Sequence, residues 1–366
     1  MIIFTKMETY RSKRIVAAML TGILIATAVN AQGDEFTRVI EREFPVNDQT
    51  SLEIDNIYGN VNIMNHDENT LSIEVMVKVN MRDKDRAEEM LNMVNISIAQ
   101  ENNTVKAETR INDNINRLFR GFNMGGGGLE ISYSIHMPSN VPVKLANKYG
   151  NVFIDELTAT SSIDVKYGKL NANRILHDSE EPLTKLTLAY SDAVIQEASW
   201  LNADIKYSKL DITNSKALVI LSKYSKIFIT KGSSVVSDSK YDTFEMGTLN
   251  NFVITTAYSN IKLDELATKL QVESKYTDVN VGRIPSGFEA VKINSSYGNY
   301  RIGIAQGASY RLDGYAKYCS INYPEDQKVS RISENNELTV EGVVGNNQNP
   351  GSAVTVNTSY CNIRLQ

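Results

Sequence analysis

Tyrosine is the residue whose repetition in this sequence points most directly to chemistry. It recurs in twelve related phrases, among them NIYGNVNI, NKYGNVFI, IKYSKLDI and TSYCNIRL. The twelve tyrosines are Tyr58, Tyr149, Tyr167, Tyr190, Tyr207, Tyr224, Tyr241, Tyr258, Tyr276, Tyr297, Tyr318 and Tyr360. An exposed row of phenol rings could stack on sugars or on a partner, whereas a buried row would stabilise the fold.

A row of lysines is the second candidate for binding. Lysine directly precedes the tyrosine in seven phrases, as Lys148, Lys166, Lys206, Lys223, Lys240, Lys275 and Lys317. Their phase is opposite to that of the tyrosines, so we expect them to face solvent. They form either a solvated row that discourages edge pairing or a cationic strip for acidic glycans.

The sequence contains no motif typical of a catalytic or metal-binding site. The three histidines are isolated, without zinc-ligand spacing, and neither the calcium-binding GGxGxD pattern nor a GxSxG elbow occurs. Four aspartates near predicted bends could still converge across repeats: Asp192, Asp211, Asp242 and Asp278. We interpret them as exposed turn carboxylates, and we expect no cofactor.

The two cysteines of the chain occupy the same position, directly after tyrosine. If the repeats that contain Cys319 and Cys361 are adjacent, their Cα atoms lie about 4.8 Å apart, within the range of about 4.4 to 6.8 Å that a disulfide requires. An oxidising compartment permits the bond. We therefore predict a disulfide if no further repeat lies between them.

The spacing of the phrases predicts the elements that position these side chains. From the second phrase to the eleventh the steps are 17 to 23 residues, too short for most helical repeats. Apolar residues at the third and fifth positions after tyrosine, such as Leu210 and Ile212, and at even positions before it, such as Leu218 and Ile220, indicate two half-buried strands per step. Small or turn-forming residues after tyrosine indicate a bend. The pattern predicts an all-β, single-stranded β-solenoid with one coil per step, expected to be right-handed.

Stacking of the coils predicts a tyrosine ladder. Equivalent residues of stacked coils lie about 4.8 Å apart, so the twelve rings are expected to pack on one another. Tyrosine lies an even number of residues after the apolar positions that precede it, so an extended strand would place its ring on the same, inner face. This favours rings that fill the wide end of each coil. An exposed aromatic stripe is the alternative.

The segments outside the regular repeats have their own patterns. Residues 32–140 predict a first coil strand and an antiparallel meander, with a short helix at Asp83–Val94 whose N-cap is Asp83 or Asp85. The glycine-rich segment INRLFRGFNMGGGG is interpreted as a surface loop, with a flexible finger that inserts into a partner or lipid as the alternative. Residues 141–366 are predicted to form the solenoid, with a hairpin excursion at about 324–353.

The N-terminal segment, residues 1–31, predicts a cleaved signal peptide. Basic residues precede an apolar run that ends at Val29-Asn30-Ala31. The product is then exported, to the periplasm, the outer surface or the medium. Cleavage changes the formal net charge from −5 to −8, because the segment carries four basic residues and one acidic residue. An acidic surface argues against nucleic acid as a partner, and the absence of a second apolar span predicts a mature form that does not span a membrane.

The phrase SYSIHMPSNVPVKLANKYGNVFIDEL, Ser132–Leu157, with the later YGNV-like and YSKL-like strands, resembles the bacterial putative-adhesin families of β-strand repeats. These include the head-GIN type of auto-transporter adhesin domain. The resemblance covers about residues 46–366 and implies a secreted β-solenoid with no catalytic residues to carry over. Tyrosine at nearly every corner departs from the serine or glycine patterns of related domains, which leaves a shared ligand open.

Three functions are compatible with these features. The first is a non-enzymatic adhesin-like binding or scaffold protein that presents a flat solenoid face to a glycan or an envelope protein. The second is a polysaccharide-active lyase or hydrolase of the β-helix type, which needs two carboxylates, or a carboxylate and an arginine, about 5 to 10 Å apart in a groove. The third is an envelope-stress or regulatory protein with an exported partner. We favour the first.

Overall fold

The computed structural model describes residues 35–112, 114–115, 128–177, 183–324 and 328–366. The predicted signal peptide and most of the glycine-rich segment lie outside these ranges. The N-terminal elements are β1 (Glu35–Pro45), β2 (Ser51–Ile57), β3 (Val61–Asn65), β4 (Thr70–Asn80), α1 (Lys84–Met93), β5 (Val94–Glu101), β6 (Thr104–Ile111) and β7 (Leu129–Met137). No helix among the described residues is long and apolar enough to cross a bilayer.

The strands that follow make up the regular coils and the C-terminal end. They are β8 (Val143–Lys148), β9 (Val152–Leu157), β10 (Ser162–Lys166), β11 (Lys169–Ile175), β12 (Thr184–Ala189), β13 (Asp192–Lys206), β14 (Lys209–Lys223), β15 (Lys226–Lys240), β16 (Thr243–Ala257), β17 (Asn260–Lys275), β18 (Asp278–Ile284), β19 (Ala290–Ile304), β20 (Tyr310–Lys317), β21 (Ser320–Asn322), β22 (Val329–Glu334), β23 (Glu337–Val344) and β24 (Ser352–Leu365). The predicted all-β solenoid is confirmed.

Each regular coil has two walls that meet at the tyrosine corner. Strands before the tyrosine pair in parallel with the equivalent strands of the next coil, and strands after it do the same. In β14, β15 and β16 the register is unbroken, so Leu218 lies opposite Val235 and Val235 lies opposite Phe252. The walls face each other across a shared apolar core, where Phe244 of one wall and Phe252 of the other have ring centroids 6.3 Å apart.

The N-terminal end is covered by antiparallel strands and a helix. Strands β6 and β7 extend the two walls, because they pair in parallel with β2 and β3. Antiparallel pairing then adds β5 to β6, β4 to β7, and β1 to the far edge of β4. Helix α1 buries Ala87, Met90 and Leu91, and its N-cap Asp83 accepts a hydrogen bond from the Arg86 amide at 3.2 Å.

The C-terminal strand β24 is out of chain order in the sheet. It pairs in parallel with β19 on one side and with β20 and β21 on the other. Hairpin β22–β23 pairs antiparallel with β20 and covers this end of the solenoid. The hairpin turns at Asn335 and Asn336, whose φ angles are 49° and 66°. The last strand of the sequence therefore lies between two coils that precede it in the chain.

Candidate binding surface

The backbone at every phrase tyrosine is left-handed, and this conformation turns the ring outward. The φ angles of the twelve tyrosines lie between 52° and 62°. Residues with a Cβ atom rarely adopt this region, because Cβ approaches the following carbonyl oxygen. The alternation of side chains is reversed at this point, so tyrosine points out and the next residue points in. The prediction of rings packed inside the coil is wrong, because the parity argument assumed an extended backbone at every residue.

The rings form one continuous stack on the outside of the corner. Tyr58 is partly buried, and the other eleven rings are 37 to 52% exposed. Neighbouring ring centroids are 4.7 to 5.2 Å apart with interplanar angles of 1 to 17°. Chain order is kept until the end, where Tyr360 lies between Tyr297 and Tyr318. The stack is on the order of 50 Å long, because strand spacing sets the ring spacing.

The stack exposes ring edges rather than ring faces. An internal ring has both faces covered by its neighbours, so a sugar cannot lie flat on it. The accessible surface is a strip of ring edges with their phenol hydroxyls. Because each ring is held between two others, little side-chain entropy is lost when a partner contacts the strip.

The residue after each tyrosine lies inside the corner, where its side chain connects adjacent coils. Ser208 Oγ accepts from the Ser191 amide at 3.0 Å, and Ser225 Oγ accepts from the Ser208 amide at 3.3 Å. The same two hydroxyls donate to the carbonyl two residues earlier, at 2.7 and 2.9 Å. Asp242 occupies this position in the next coil and accepts from the Ser225 amide at 2.6 Å. Small polar residues follow tyrosine because they satisfy buried backbone groups as well as forming a bend.

Asp242 is a carboxylate in a row of hydroxyls and glycines, and it is only 2% exposed. It also accepts from Ser222 Oγ at 2.8 Å and from the Lys240 amide at 3.1 Å. Burial raises the pKa of this carboxyl, while the hydrogen bonds act in the opposite direction. The prediction of an exposed turn carboxylate is wrong for this residue, because the left-handed tyrosine turns it into the corner.

The other three candidate aspartates lie on the outside and are not brought together. Asp211 pairs with Lys209 at 3.3 Å. Asp278 Oδ1 accepts from the Asn299 amide at 2.8 Å and from its Nδ2 at 3.0 Å. Asp192 is exposed, and it lies opposite Lys209 rather than opposite Asp211.

The lysine row is exposed but interrupted. Four members lie near the ring that follows them: the Nζ atoms of Lys148, Lys223, Lys240 and Lys317 are 4.8, 5.4, 5.2 and 5.9 Å from its centroid. Three form ion pairs: Lys166 with Asp164 at 2.9 Å, Lys206 with Asp204 at 3.1 Å and Lys317 with Glu337 at 2.9 Å. Lys275 is exposed, and Ala189 and Ala257 occupy the row in two coils. The row is therefore not a continuous cationic strip.

An exposed aliphatic patch lies on the same wall as the lysines. Val219, Leu221 and Val236 are 42, 50 and 45% exposed. Val219 and Val236 lie opposite each other on β14 and β15. The patch belongs to the two coils that carry Tyr224 and Tyr241, so it adds apolar surface close to the centre of the stack.

The two cysteines align on adjacent strands inside the corner. Lys317 lies opposite Ser359, which places Cys319 and Cys361 at equivalent positions. Both thiols are unbonded in the structure, and each contacts the carbonyl two residues earlier, at 3.3 and 3.2 Å. Burial raises the pKa of the Cys319 thiol. The disulfide between them stays a prediction.

The histidines lie apart from one another. His66 Nδ1 accepts from the Glu68 amide at 3.1 Å, His177 Nε2 is 2.9 Å from Thr160 Oγ1, and His136 is exposed. Across the described ranges, no group of three or more His, Cys, Asp or Glu side chains is arranged to hold a metal ion.

A shallow depression of about 250 Å³ lies on the other wall, toward the C-terminal end. Its lining includes Asn280, Asn299, Asn362, Arg301 and Arg364. The sequence analysis did not select these residues, although a signal was present. The phrases SSYGNYRI and TSYCNIRL both carry asparagine two residues and arginine four residues after tyrosine. Their adjacency depends on the position of β24, which the repeat pattern does not show.

Comparison with protein families finds no family model that matches this chain, and no curated protein matches it either. Among solved structures, a putative cell adhesion protein from Clostridium sporogenes is similar at 9% identity and a TM-score of 0.18, over 90% of this chain and all of that one. A putative adhesin from Parabacteroides merdae is similar at 12% identity and a TM-score of 0.32, over 73% of this chain and 96% of that one. Another from Parabacteroides distasonis has 8% identity and a TM-score of 0.31, over 90% and 97%.

All three similar structures are described as a putative adhesin or a putative cell adhesion protein. The low identities and TM-scores transfer no residue, ligand or mechanism to this chain.

Proposed function

We propose that this chain is an exported, non-enzymatic adhesin-like protein that uses its rigid solenoid as a binding platform for a glycan or another protein. The observation that carries the proposal is the outward tyrosine stack. Eleven of its rings are 37 to 52% exposed. Glycine and asparagine adopt the left-handed backbone conformation more easily than tyrosine does. The backbone alone therefore does not account for tyrosine at this position.

The stack has the properties of a preorganised contact surface. Tyrosine is enriched at protein interfaces because it combines a large apolar ring with a polar hydroxyl. Here the rings are already immobilised by mutual stacking, so binding requires little further ordering. The aliphatic patch of Val219, Leu221 and Val236 adds apolar area nearby.

A non-enzymatic function is supported by the arrangement of the candidate carboxylates. Asp242 is enclosed by hydrogen bonds in the corner, and Asp211 is paired with Lys209. Asp278 is hydrogen-bonded to Asn299. Acid–base cleavage of a glycosidic bond requires two suitably spaced carboxyl groups in one groove, and these residues are engaged separately.

The test of binding uses residues 32–366 on a mixed glycan array and on immobilised exported proteins, with reducing-end release measured for each glycan hit. The variant Tyr207→Asn/Tyr224→Asn/Tyr241→Asn removes three central rings and keeps a residue that tolerates the left-handed backbone. Lys226→Gln/Glu245→Gln, which alters two exposed positions on the other wall and leaves the net charge unchanged, serves as the matched control on the same coils. Circular dichroism checks that both variants stay folded.

We expect binding without turnover, lost in the asparagine variant and retained in the control. Release of reducing ends would overturn the non-enzymatic function. Binding that is unaffected by the loss of three rings would overturn the role of the stack. Export is tested separately, by mass spectrometry of the protein recovered from cell fractions, where a mature N-terminus at Gln32 is expected.

A further inference from the structure

Two arginines lie side by side on the wall opposite the lysine row. Arg301 of β19 and Arg364 of β24 are directly opposite in the parallel register, and both are exposed. Like charges at directly opposite positions destabilise a sheet. Across the part of the chain that the structure describes, neither guanidinium forms a hydrogen bond or an ion pair with a carboxylate.

Three other cations on this wall have a carboxylate partner on the same or the adjacent strand. Lys209 pairs with Asp211 at 3.3 Å, and Lys262 lies 3.8 Å from Asp264. Arg174 forms an ion pair with Glu156. The two adjacent arginines differ from these three cations, because neither forms such a pair, although Asp278 lies in the lining of the same depression.

The side-chain amides of two asparagines beside the arginines add a hydrogen-bond donor and a hydrogen-bond acceptor. Asn362 Oδ1 accepts from Ser320 Oγ at 3.3 Å, which leaves the Asn362 Nδ2 group as a donor. Asn299 Nδ2 donates to Asp278 Oδ1 at 3.0 Å, which leaves the Asn299 Oδ1 atom as an acceptor. The depression therefore offers guanidinium donors beside the Asn362 amide donor and the Asn299 amide acceptor, and its lining also includes Asn260, Asn280 and Asp278.

We propose that the Arg301–Arg364 pair binds the anionic group of an acidic sugar residue, a carboxylate or a sulfate. Guanidinium groups bind such oxyanions through paired N–H donors. The amides of Asn299 and Asn362 suit the hydroxyls of the same sugar, since a hydroxyl both donates and accepts. The volume of about 250 Å³ is below the range of about 300 to 1,000 Å³ typical of drug-sized ligands, so it suits one small unit.

The site rests on the proposed function, because it supplies the ligand class for the binding platform. It does not require the sugar to stack on tyrosine, whose faces are covered. Nucleic acid is a poor candidate, because the predicted mature chain is acidic overall and a dense polyanion would be repelled.

Isothermal titration calorimetry with residues 32–366 tests the site. The probes are an oligomer of hexuronic acid, a sulfated neutral-backbone oligosaccharide, the unsulfated neutral oligosaccharide of equal length, and poly-glutamate. The variants are Arg301→Gln/Arg364→Gln, the charge-conserving Arg301→Lys/Arg364→Lys, and a control with the same net charge change, Lys226→Gln/Lys231→Gln, which alters two exposed residues of β15.

We expect at least one acidic oligosaccharide to bind, with the two acidic probes distinguishing carboxylate from sulfate. Affinity should fall at least tenfold in the glutamine variant, less in the lysine variant, and less than twofold in the lysine-to-glutamine control. Equal losses in the control, binding of neutral sugar, binding of poly-glutamate as tight as that of the sugars, or no binding of either acidic sugar would overturn the proposal. A ligand that depends on the tyrosine stack but not on the arginines would overturn this site and leave the proposed function standing.

Discussion

Each corner of the solenoid places two consecutive residues in opposite environments. Tyr241 lies outside and is 38% exposed, while Asp242 lies inside and is 2% exposed. The outer position stacks rings from coil to coil, and the inner position hydrogen-bonds backbone from coil to coil. Both rows repeat with the strand spacing, but the inner row has no free space and the outer row borders solvent. Substitutions in the inner row should therefore have the larger effect on stability.

Among the substitutions that test this difference between the inner and outer rows, Gly150→Ala should lower the free energy of unfolding most. A Cβ atom at this inner position would overlap the carbonyl oxygen of Gly59, which is backbone and cannot rotate away. We expect a loss of about 3 kcal/mol in the free energy of unfolding, at the upper end of overpacking effects. Denaturant unfolding monitored by circular dichroism measures it, with Gly351→Ala, where the Cβ meets open space, as the control. Equal stability of the two variants would contradict the tight inner row.

Tyr224→Ala should have an intermediate effect, because it removes a half-exposed ring. The ring is stacked on Tyr207 at 5.0 Å and on Tyr241 at 4.7 Å. Two stacking contacts of about 0.5 to 1.5 kcal/mol each predict a loss of about 2 kcal/mol. Tyr224→Asn should lose somewhat less, because asparagine tolerates the left-handed backbone better than alanine. A loss of about 3 to 5 kcal/mol in both variants would mark a core residue and would contradict the exposed stack.

Asp242→Ser should increase the free energy of unfolding at neutral pH. The increase should be smaller than the decrease expected for Tyr224→Ala. Burial raises the pKa of the Asp242 carboxyl in the folded protein, so the folded chain keeps this proton to a higher pH than the unfolded chain does. The free energy of unfolding of the natural protein therefore decreases as pH rises from the unfolded pKa, about 3.9, through the folded pKa. The variant lacks this decrease. Urea unfolding from pH 3 to pH 7 should show a difference that grows with pH, and a constant difference would contradict the assignment.

Lys223→Ala should have the smallest effect, because the lysine contacts the stack only from its exposed side. Its Nζ lies 5.4 Å from the Tyr224 centroid, and exposed cation–π contacts contribute about 0.5 kcal/mol. Lys226→Ala, at an exposed position of β15, is the control. Thermal unfolding of both variants at low and high salt measures the difference, and a loss above about 1.5 kcal/mol would show that the lysine supports the corner itself.

The sequence predicted the architecture well because the repeat is local. Period-two alternation around Leu210 and Ile220 is sufficient to identify strands, and the small residues after tyrosine identify the bend. A short pattern also limited the N-cap of α1 to Asp83 or Asp85, and the structure has Asp83. These features depend on residues that are close together in the chain.

The binding surface was less predictable, because it depends on backbone geometry and on long-range order. The orientation of the rings follows from φ angles of 52° to 62°, which parity of apolar residues does not encode. The pairing of Arg301 with Arg364 joins residues from strands that β24 brings together. Stacking order along a solenoid is invisible to a repeat search, because all coils carry the same phrase.

The insertion of β24 between β19 and β20 has a consequence for how the protein is made. Strands β19 and β20 are synthesised before β24, yet neither can complete its pairing until Ser352–Leu365 has emerged from the ribosome. Coils from Tyr58 to Tyr276 can form in order of synthesis, whereas the C-terminal coils must stay open for the last strand. The C-terminal coils are therefore completed only after Ser352–Leu365 has emerged, later than the coils from Tyr58 to Tyr276.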